Sequence, residues 1–261
     1  MSERLKKTFL RGKKLLISYA MVGYPDFESS LKTFELLIEN GSDIIEIGYP
    51  FSDPVADGST IQVAHEKALE NGIGFKDVLQ AVELLRSKYP EVPLIVMTYY
   101  NPIFKIGLEK FVTAFKSAGA DGFIVPDLPP EESGELKKLA EENDLSLIML
   151  AAPTSSERRL KLICQTTGEF TYFVSVTGIT GERDTLPLEN LKRKLQVYRK
   201  VCNKKVVVGF GISKKEHAKL IGSLADGIVV GSLFVKLSGG RDFEGLKKAV
   251  KELKEGLSMA S

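Results

Sequence analysis

In the run Asp43–Gly48, which reads DIIEIG, one glutamate, Glu46, sits among isoleucines, and Asp57 follows it eleven residues later in a loop punctuated by Pro50, Pro54 and Gly58. A carboxylate among apolar neighbours holds its proton more tightly, which suits general acid/base work near neutral pH. The structural alternative is a Glu46 paired with a buried Lys or Arg, or bonded to backbone amides. Asp57-Gly58 and Asp53-Pro54 likewise read first as turns. The residues alone leave both readings open, because structural ion pairs also perturb carboxylates.

A second chemistry is written in three Gly-rich segments: Gly178-Ile-Thr-Gly181, Gly209-Phe-Gly211 and Gly231-Ser232. Glycine lets backbone N–H groups approach an anion, and a helix N-terminus adds a favourable dipole. Each segment could also be only a tight turn; their succession favours a phosphate site. Other chemistries lack their residues. His65 and His217 are the only histidines, both in helical stretches, and read as surface or packing residues; no zinc ligand set is seen. No lysine stands at the far end of an apolar run, so a Schiff base has no obvious amine. No P-loop is present. Carboxylate acid/base chemistry on a small phosphorylated substrate remains.

These residues need a frame. Apolar runs of the parallel-strand type fall at Leu15–Val22, Asp43–Gly48, Leu94–Tyr100, Gly122–Asp127, Ser146–Ala152, Thr171–Val176, Lys205–Phe210 and Gly227–Gly231. Amphipathic stretches separate them. Asp26 is placed to cap the first of these, and Pro130 to open a later one. Eight βα units in 261 residues predict an α/β fold: one TIM (β/α)8 barrel domain spanning 1–261, with an extra N-terminal helix. An open doubly wound sheet is the rival, but the Rossmann fingerprint is missing. In a barrel the active site lies at the C-terminal strand ends. Strand alternation then turns Ile44, Glu46 and Gly48 inward and Ile45 and Ile47 toward the helices. Tyr19, Met97, Ile124, Tyr172 and Phe210, all near strand ends, would suit a flat aromatic ligand, although ordinary packing explains each singly.

Composition narrows the class. Hydrophobic residues make up 43% and charged residues 27%, with a net charge of +2, so no Lys/Arg stripe commits the chain to nucleic acid. The basic start followed by Leu15–Val22 imitates a signal peptide, but the run is short and lacks a cleavage site. No run approaches a membrane span. Cys164 and Cys202 are the only cysteines, which writes no disulfide framework and favours a reducing, cytoplasmic setting.

The segment EIGYPFSDPVADGSTIQ resembles the signature of the tryptophan synthase α-subunit family. The likeness continues, in family order and over nearly the whole chain, through YAMVGYPD, MTYYNPIF, GFIVPDLPPEES, TYFVSVTGITGERDTLP, VGFGIS and GIVVGSLFVK. The resemblance implies a barrel enzyme that cleaves indole-3-glycerol phosphate to indole and glyceraldehyde 3-phosphate. It implies Glu46 as the residue that protonates indole C3 and deprotonates the glycerol hydroxyl, and Asp57 as the stabiliser of positive charge at the indole N–H. It assigns the phosphate to Gly181, Gly211, Gly231 and Ser232 with Phe210 beside them. The indole falls to Tyr19, Met97, Ile124 and Tyr172, and loop closure to Thr180. It also implies docking on a β subunit, in a heterotetramer of two α and two β subunits, through Phe51, Ser52, Asp53, Pro54, Asn101, Pro102 and Pro129. Pyridoxal phosphate would belong to that partner, with no cofactor in this chain. Two departures stand out: Tyr49 replaces a small aliphatic residue, and Ser59 stands where proline is common. Some relatives act alone as indole-releasing lyases, and the motifs do not separate the two forms. A phosphosugar isomerase on the same scaffold and a barrel kept only for docking are the more distant readings.

Overall fold

The computed structural model describes residues 2–174, 188–209 and 211–260. The chain begins with α1 (Glu3–Leu10), β1 (Leu15–Met21), α2 (Phe27–Glu39) and β2 (Ile44–Gly48). Two helices follow, α3 (Ser59–Glu70) and α4 (Phe75–Lys88), then β3 (Leu94–Met97) and again two helices, α5 (Tyr100–Ile106) and α6 (Leu108–Ala118). The middle runs β4 (Gly122–Ile124), α7 (Gly134–Glu142), β5 (Ser146–Ala151), α8 (Glu157–Thr166) and β6 (Phe170–Val174). The last part is α9 (Leu188–Val201), β7 (Lys205–Gly209), α10 (Lys215–Gly222), β8 (Gly227–Val230), α11 (Ser232–Gly239) and α12 (Phe243–Ser258).

The strands are all parallel and close in sequence order, β1 to β8, with β8 pairing back onto β1. This is the predicted TIM barrel. Its two cores follow from strand alternation. Inward residues Leu15, Ile17, Ile44, Ile95, Ile124, Ile148, Phe170, Val207 and Val229 fill the barrel. Outward residues, among them Leu16, Ile45, Ile47, Val96 and Val208, pack under the helices. The N-terminal helix α1 plugs the lower end: Leu5 and Phe9 join the barrel core, and the Phe9 and Phe170 rings lie 5.2 Å apart. Ser2 caps α1 and its hydroxyl donates to buried Asp121 at 2.7 Å.

Local signals explain the ends. Asp26 caps α2 by accepting Ser29 N–H at 2.7 Å, as predicted. Pro130 does not open a helix; it sits in a turn, and α7 starts only at Gly134, with the Ser133 hydroxyl folded back on Pro130 C=O. Strands β3 and β4 stop earlier than their apolar runs. After β3 the chain turns at once into α5, with Tyr99 as its extended N-cap, and after β4 Pro126 brings no N–H to a ladder. Residues 175–176 of the sixth run lie outside the described residues.

One expectation fails outright. Cys164 and Cys202 form a disulfide, with Cα atoms 5.7 Å apart. Cys164 lies near the end of α8 and Cys202 just after α9. Neighbouring βα units lay those helices side by side with their C-termini at the same barrel end, a proximity that the 38-residue separation does not announce.

Candidate active site

Glu46 stands in β2, in register with Tyr19 on one side and Ile95 on the other. It is 1% exposed, and among the described residues neither carboxylate oxygen has a hydrogen-bond partner. The described residues therefore supply no Lys, Arg or backbone partner of the kind a structural role requires. Burial, and secondarily the charge of Asp57, pushes the Glu46 carboxyl up to about 8. Near neutral pH it is mainly a carboxylic acid, able to give a proton and then to take one.

Asp57 lies in the irregular loop between β2 and α3 and is held from two sides. Tyr99 OH donates to Asp57 Oδ2 at 2.7 Å, and His65 Nε2 meets the same oxygen at 3.1 Å. Among the described residues no hydrogen bond falls on Oδ1. Neither holding residue was expected here. The sequence gives His65 no role beyond surface or packing, yet it is 3% exposed and bonds Asp57 from within α3. The signal was present: Ile61, Ala64, His65 and Ala68 recur at helical spacing, and Ala64, His65 and Ala68 are buried. Tyr99, 1% exposed, carried no such mark in its aromatic segment.

The aromatic walls converge on the two carboxylates. Burial pushes the hydroxyls of Tyr19 and Tyr172 well above their ordinary range, with the charges of Glu46 and Asp57 adding to the shift in both. Two glycines make room for these rings. A Cβ on Gly48 would lie 2.5 Å from Tyr19 OH, and one on Gly209 would lie 2.5 Å from Tyr172 OH. Gly209, first read with the phosphate glycines, thus serves the aromatic wall. Met97 and Tyr172 are half-buried and rest on the barrel core together with Leu150, which pairs with Tyr172 in register and was not singled out in the sequence. Ile124, fully buried, pairs with Met97 and belongs to that supporting core.

At the phosphate end, Gly211 takes φ +64°, the left-handed region that favours glycine, and a Cβ there would meet nothing. Gly231 is the N-cap of α11, and among the described residues no side-chain cap bond falls on the N–H groups that begin at Ser232. A Cβ on Gly231 would stand 3.5 Å from both Tyr19 and Ile61, so this helix end adjoins the aromatic wall. Gly181, Phe210 and Thr180 lie outside the described residues, as does the segment 177–187 of which Thr180 and Gly181 are part.

Three segments lie near the site: the loop after β2, the start of α5 and the loop after β4. Ser52, Asp53 and Asn101 are exposed, Phe51, Pro54, Pro102 and Pro129 half-buried. Val55 and Phe104 on the same segments are 72% and 66% exposed, large apolar side chains left in solvent. Pro102 occupies the first turn of α5, where a missing N–H breaks no helical bond.

The sequence model described as Tryptophan synthase alpha chain matches residues 5–260. The chain belongs to the tryptophan synthase alpha chain family. A tryptophan synthase alpha chain from Aquifex aeolicus (strain VF5) is 59% identical over 256 residues, covering 98% of both chains. A solved structure from the same organism superposes with a TM-score of 0.92 at 57% identity, covering 98% of this chain and 99% of the other. A ligand-free Mycobacterium tuberculosis tryptophan synthase structure gives 0.89 at 32% identity over 98% and 99%. A Saccharomyces cerevisiae protein named tryptophan synthase is 39% identical over 98% of this chain but only 37% of its own length. Against the family pattern, the Tyr49 departure is absorbed inside: its ring is 7% exposed and packs in the helix-side core. Ser59 occupies the first position of α3.

Proposed function

We infer that this chain cleaves indole-3-glycerol phosphate to indole and glyceraldehyde 3-phosphate, the lyase half of the last stage of tryptophan biosynthesis. The observation that carries the mechanism is Glu46: buried, without a hydrogen-bond partner among the described residues, protonated near neutral pH, and close enough to Asp57 to feel its charge. In the forward direction Glu46 gives its proton to indole C3. The ring becomes an iminium-like electron sink, and the carboxylate of Asp57, through Oδ1, faces the N–H where positive charge grows. Glu46, now ionised, takes the proton of the side-chain hydroxyl next to C3. The C–C electron pair returns to the ring, the hydroxyl becomes the aldehyde, and Glu46 is again protonated. Protons and electrons balance within the substrate and one carboxyl group.

Tyr19, Met97 and Tyr172, with Ile124 beneath them, are the proposed indole walls. The N-terminus of α11 with Gly211, Gly231 and Ser232 is the proposed phosphate seat, joined by Gly181 and Phe210, with Thr180 as a closing residue. Docking of the β subunit on Phe51–Pro54, Asn101-Pro102 and Pro129 is supported by the exposed Val55 and Phe104 beside them. It is also supported by the yeast relative, whose much longer chain includes a region matching this one. A heterotetramer of two α and two β subunits, pyridoxal phosphate in the partner and a cytoplasmic setting belong to the same proposal.

The test is indole release from indole-3-glycerol phosphate by wild type and Glu46→Gln, each with and without the β subunit. A slow wild type that the partner accelerates, with an inactive variant in both conditions, is the expected result. A Glu46→Gln chain at wild-type rate would sink the mechanism. A wild type that is fast alone and indifferent to the partner would make the chain a free-standing lyase.

A further inference from the structure

One buried histidine joins the two ends of the loop that carries both docking residues and Asp57. The Nδ1 of His65 accepts the Phe51 N–H at 3.0 Å, and its Nε2 bonds Asp57 Oδ2 at 3.1 Å. A backbone amide only donates, so Nδ1 is the unprotonated nitrogen and the neutral ring carries its proton on Nε2, aimed at Asp57. Residues 49–58 form neither helix nor strand, so contacts from outside the loop help to fix Phe51 relative to Asp57. Tyr99 supplies a second tie: its hydroxyl accepts the Ala56 N–H at 3.0 Å and donates to Asp57 Oδ2 at 2.7 Å, and its ring packs on Phe51 with centroids 5.3 Å apart, but it makes no hydrogen bond to the Phe51 backbone. Among the described residues His65 alone hydrogen-bonds both the Phe51 backbone and the Asp57 carboxylate.

An imidazole is rigid. A displacement of Phe51 N–H that moves Nδ1 moves Nε2 with it, and the carboxylate bonded there follows. We propose that His65 is a positioning residue that orients Asp57 toward the substrate and passes the seating of the β subunit at Phe51–Pro54 to that carboxylate. The proposal rests on the reading of Asp57 and of the docking loop given above.

Two carboxamide variants separate the bonds. His65→Asn places an oxygen near Nδ1, so it keeps Phe51 but is too short for Asp57. His65→Gln reaches the place of Nε2, so it keeps Asp57 and loses Phe51. Steady-state kcat and KM for indole-3-glycerol phosphate are measured for wild type, both variants and Asp57→Asn, alone and with saturating β subunit, with the melting temperature recorded for each. Cutting either bond breaks the relay, so neither His65 variant is accelerated by the partner as wild type is. In the chain alone, His65→Asn loses about 10-fold in kcat with little change in KM, and His65→Gln loses less, because a hydrogen bond to a charged group is at stake only in the first. If both variants melt lower yet keep the wild-type acceleration ratio, His65 is merely structural and the proposal is overturned. A fully active Asp57→Asn, or a wild type that the partner does not accelerate, overturns the underlying assignment instead.

Discussion

Glu46 joins activity and instability in one side chain. Its folded-state pKa, about 8, stands above the ordinary 4.5, so between those values the folded protein holds a proton that the unfolded chain releases. Stability contributed by this group is complete below about pH 4.5 and is lost as pH rises through about 8. Glu46→Gln removes the titration. It is therefore expected to exceed wild type in stability by a few kcal/mol above pH 8, with the gap closing toward pH 4 to 5, as urea denaturation at both ends would read. The same substitution lowers kcat by on the order of 10²-fold or more, the usual worth of a proton-transfer group. Wild-type kcat/KM should fall above about pH 8 as the acid form is lost; a flat profile to pH 9.5 would contradict the general-acid role. At Gly209 the argument is steric. Gly209→Ala drives a methyl into Tyr172 OH, so KM for the substrate should rise about 10-fold while Glu46 chemistry persists. At this scale the sequence displayed Glu46, since a lone carboxylate in an apolar strand is conspicuous. Its lack of a hydrogen-bond partner among the described residues is a fact of three dimensions, and so is the convergence of His65 and Tyr99 on Asp57 from two different elements.

The elements were easier to read than their contacts. Continuous apolar runs and period-3.6 patterns mark strands and helices along the chain, and Asp26 announces the start of α2. The doubled helices after β2 and β3 were less visible, because short helices joined at Gly74 or Gly107 look like one interrupted stretch. Boundaries also failed where a loop ordered itself by side-chain bonds, as Ser133 does on Pro130 C=O ahead of α7. Helix α3 matters most here, since it holds His65 in place. Its first residue, Ser59, follows Gly58 in an extended conformation at φ −75° and ψ 164°, which a following proline accepts. Proline at this first helical position removes no intrahelical bond and restricts the unfolded chain. Ser59→Pro should therefore stabilise the protein by about 0.4–1 kcal/mol with kcat retained. A loss of stability on denaturant titration would show that the N-terminus of α3 is strained in a way the backbone angles do not reveal.

Across the whole molecule, chemistry and stability are set at opposite ends of the barrel. Glu46, Asp57 and the N-terminus of α11 gather where strands end and loops begin, whereas α1 plugs the other end and the Cys164–Cys202 bridge ties the C-terminal ends of the neighbouring helices α8 and α9. That bridge joins the end of α8 to the residue just after α9, so the segment it closes includes β6, the residues that follow it and α9. Tying two points 38 residues apart restricts the unfolded chain by about 4 kcal/mol on a loop-closure model. Nothing in the bridge touches the catalytic mouth. Reduction, or the paired substitution Cys164→Ala and Cys202→Ala, should therefore lower the melting temperature while kcat at room temperature stays at the wild-type value. Thiol titration of the unfolded protein fixes the starting state: no free thiol in the oxidised chain, and both cysteines reactive after reduction. If reduction instead lowers kcat with an unchanged melting temperature, the bridge acts on the mobility of the β6 unit rather than on the unfolded chain, and the division of labour between the two barrel ends is wrong.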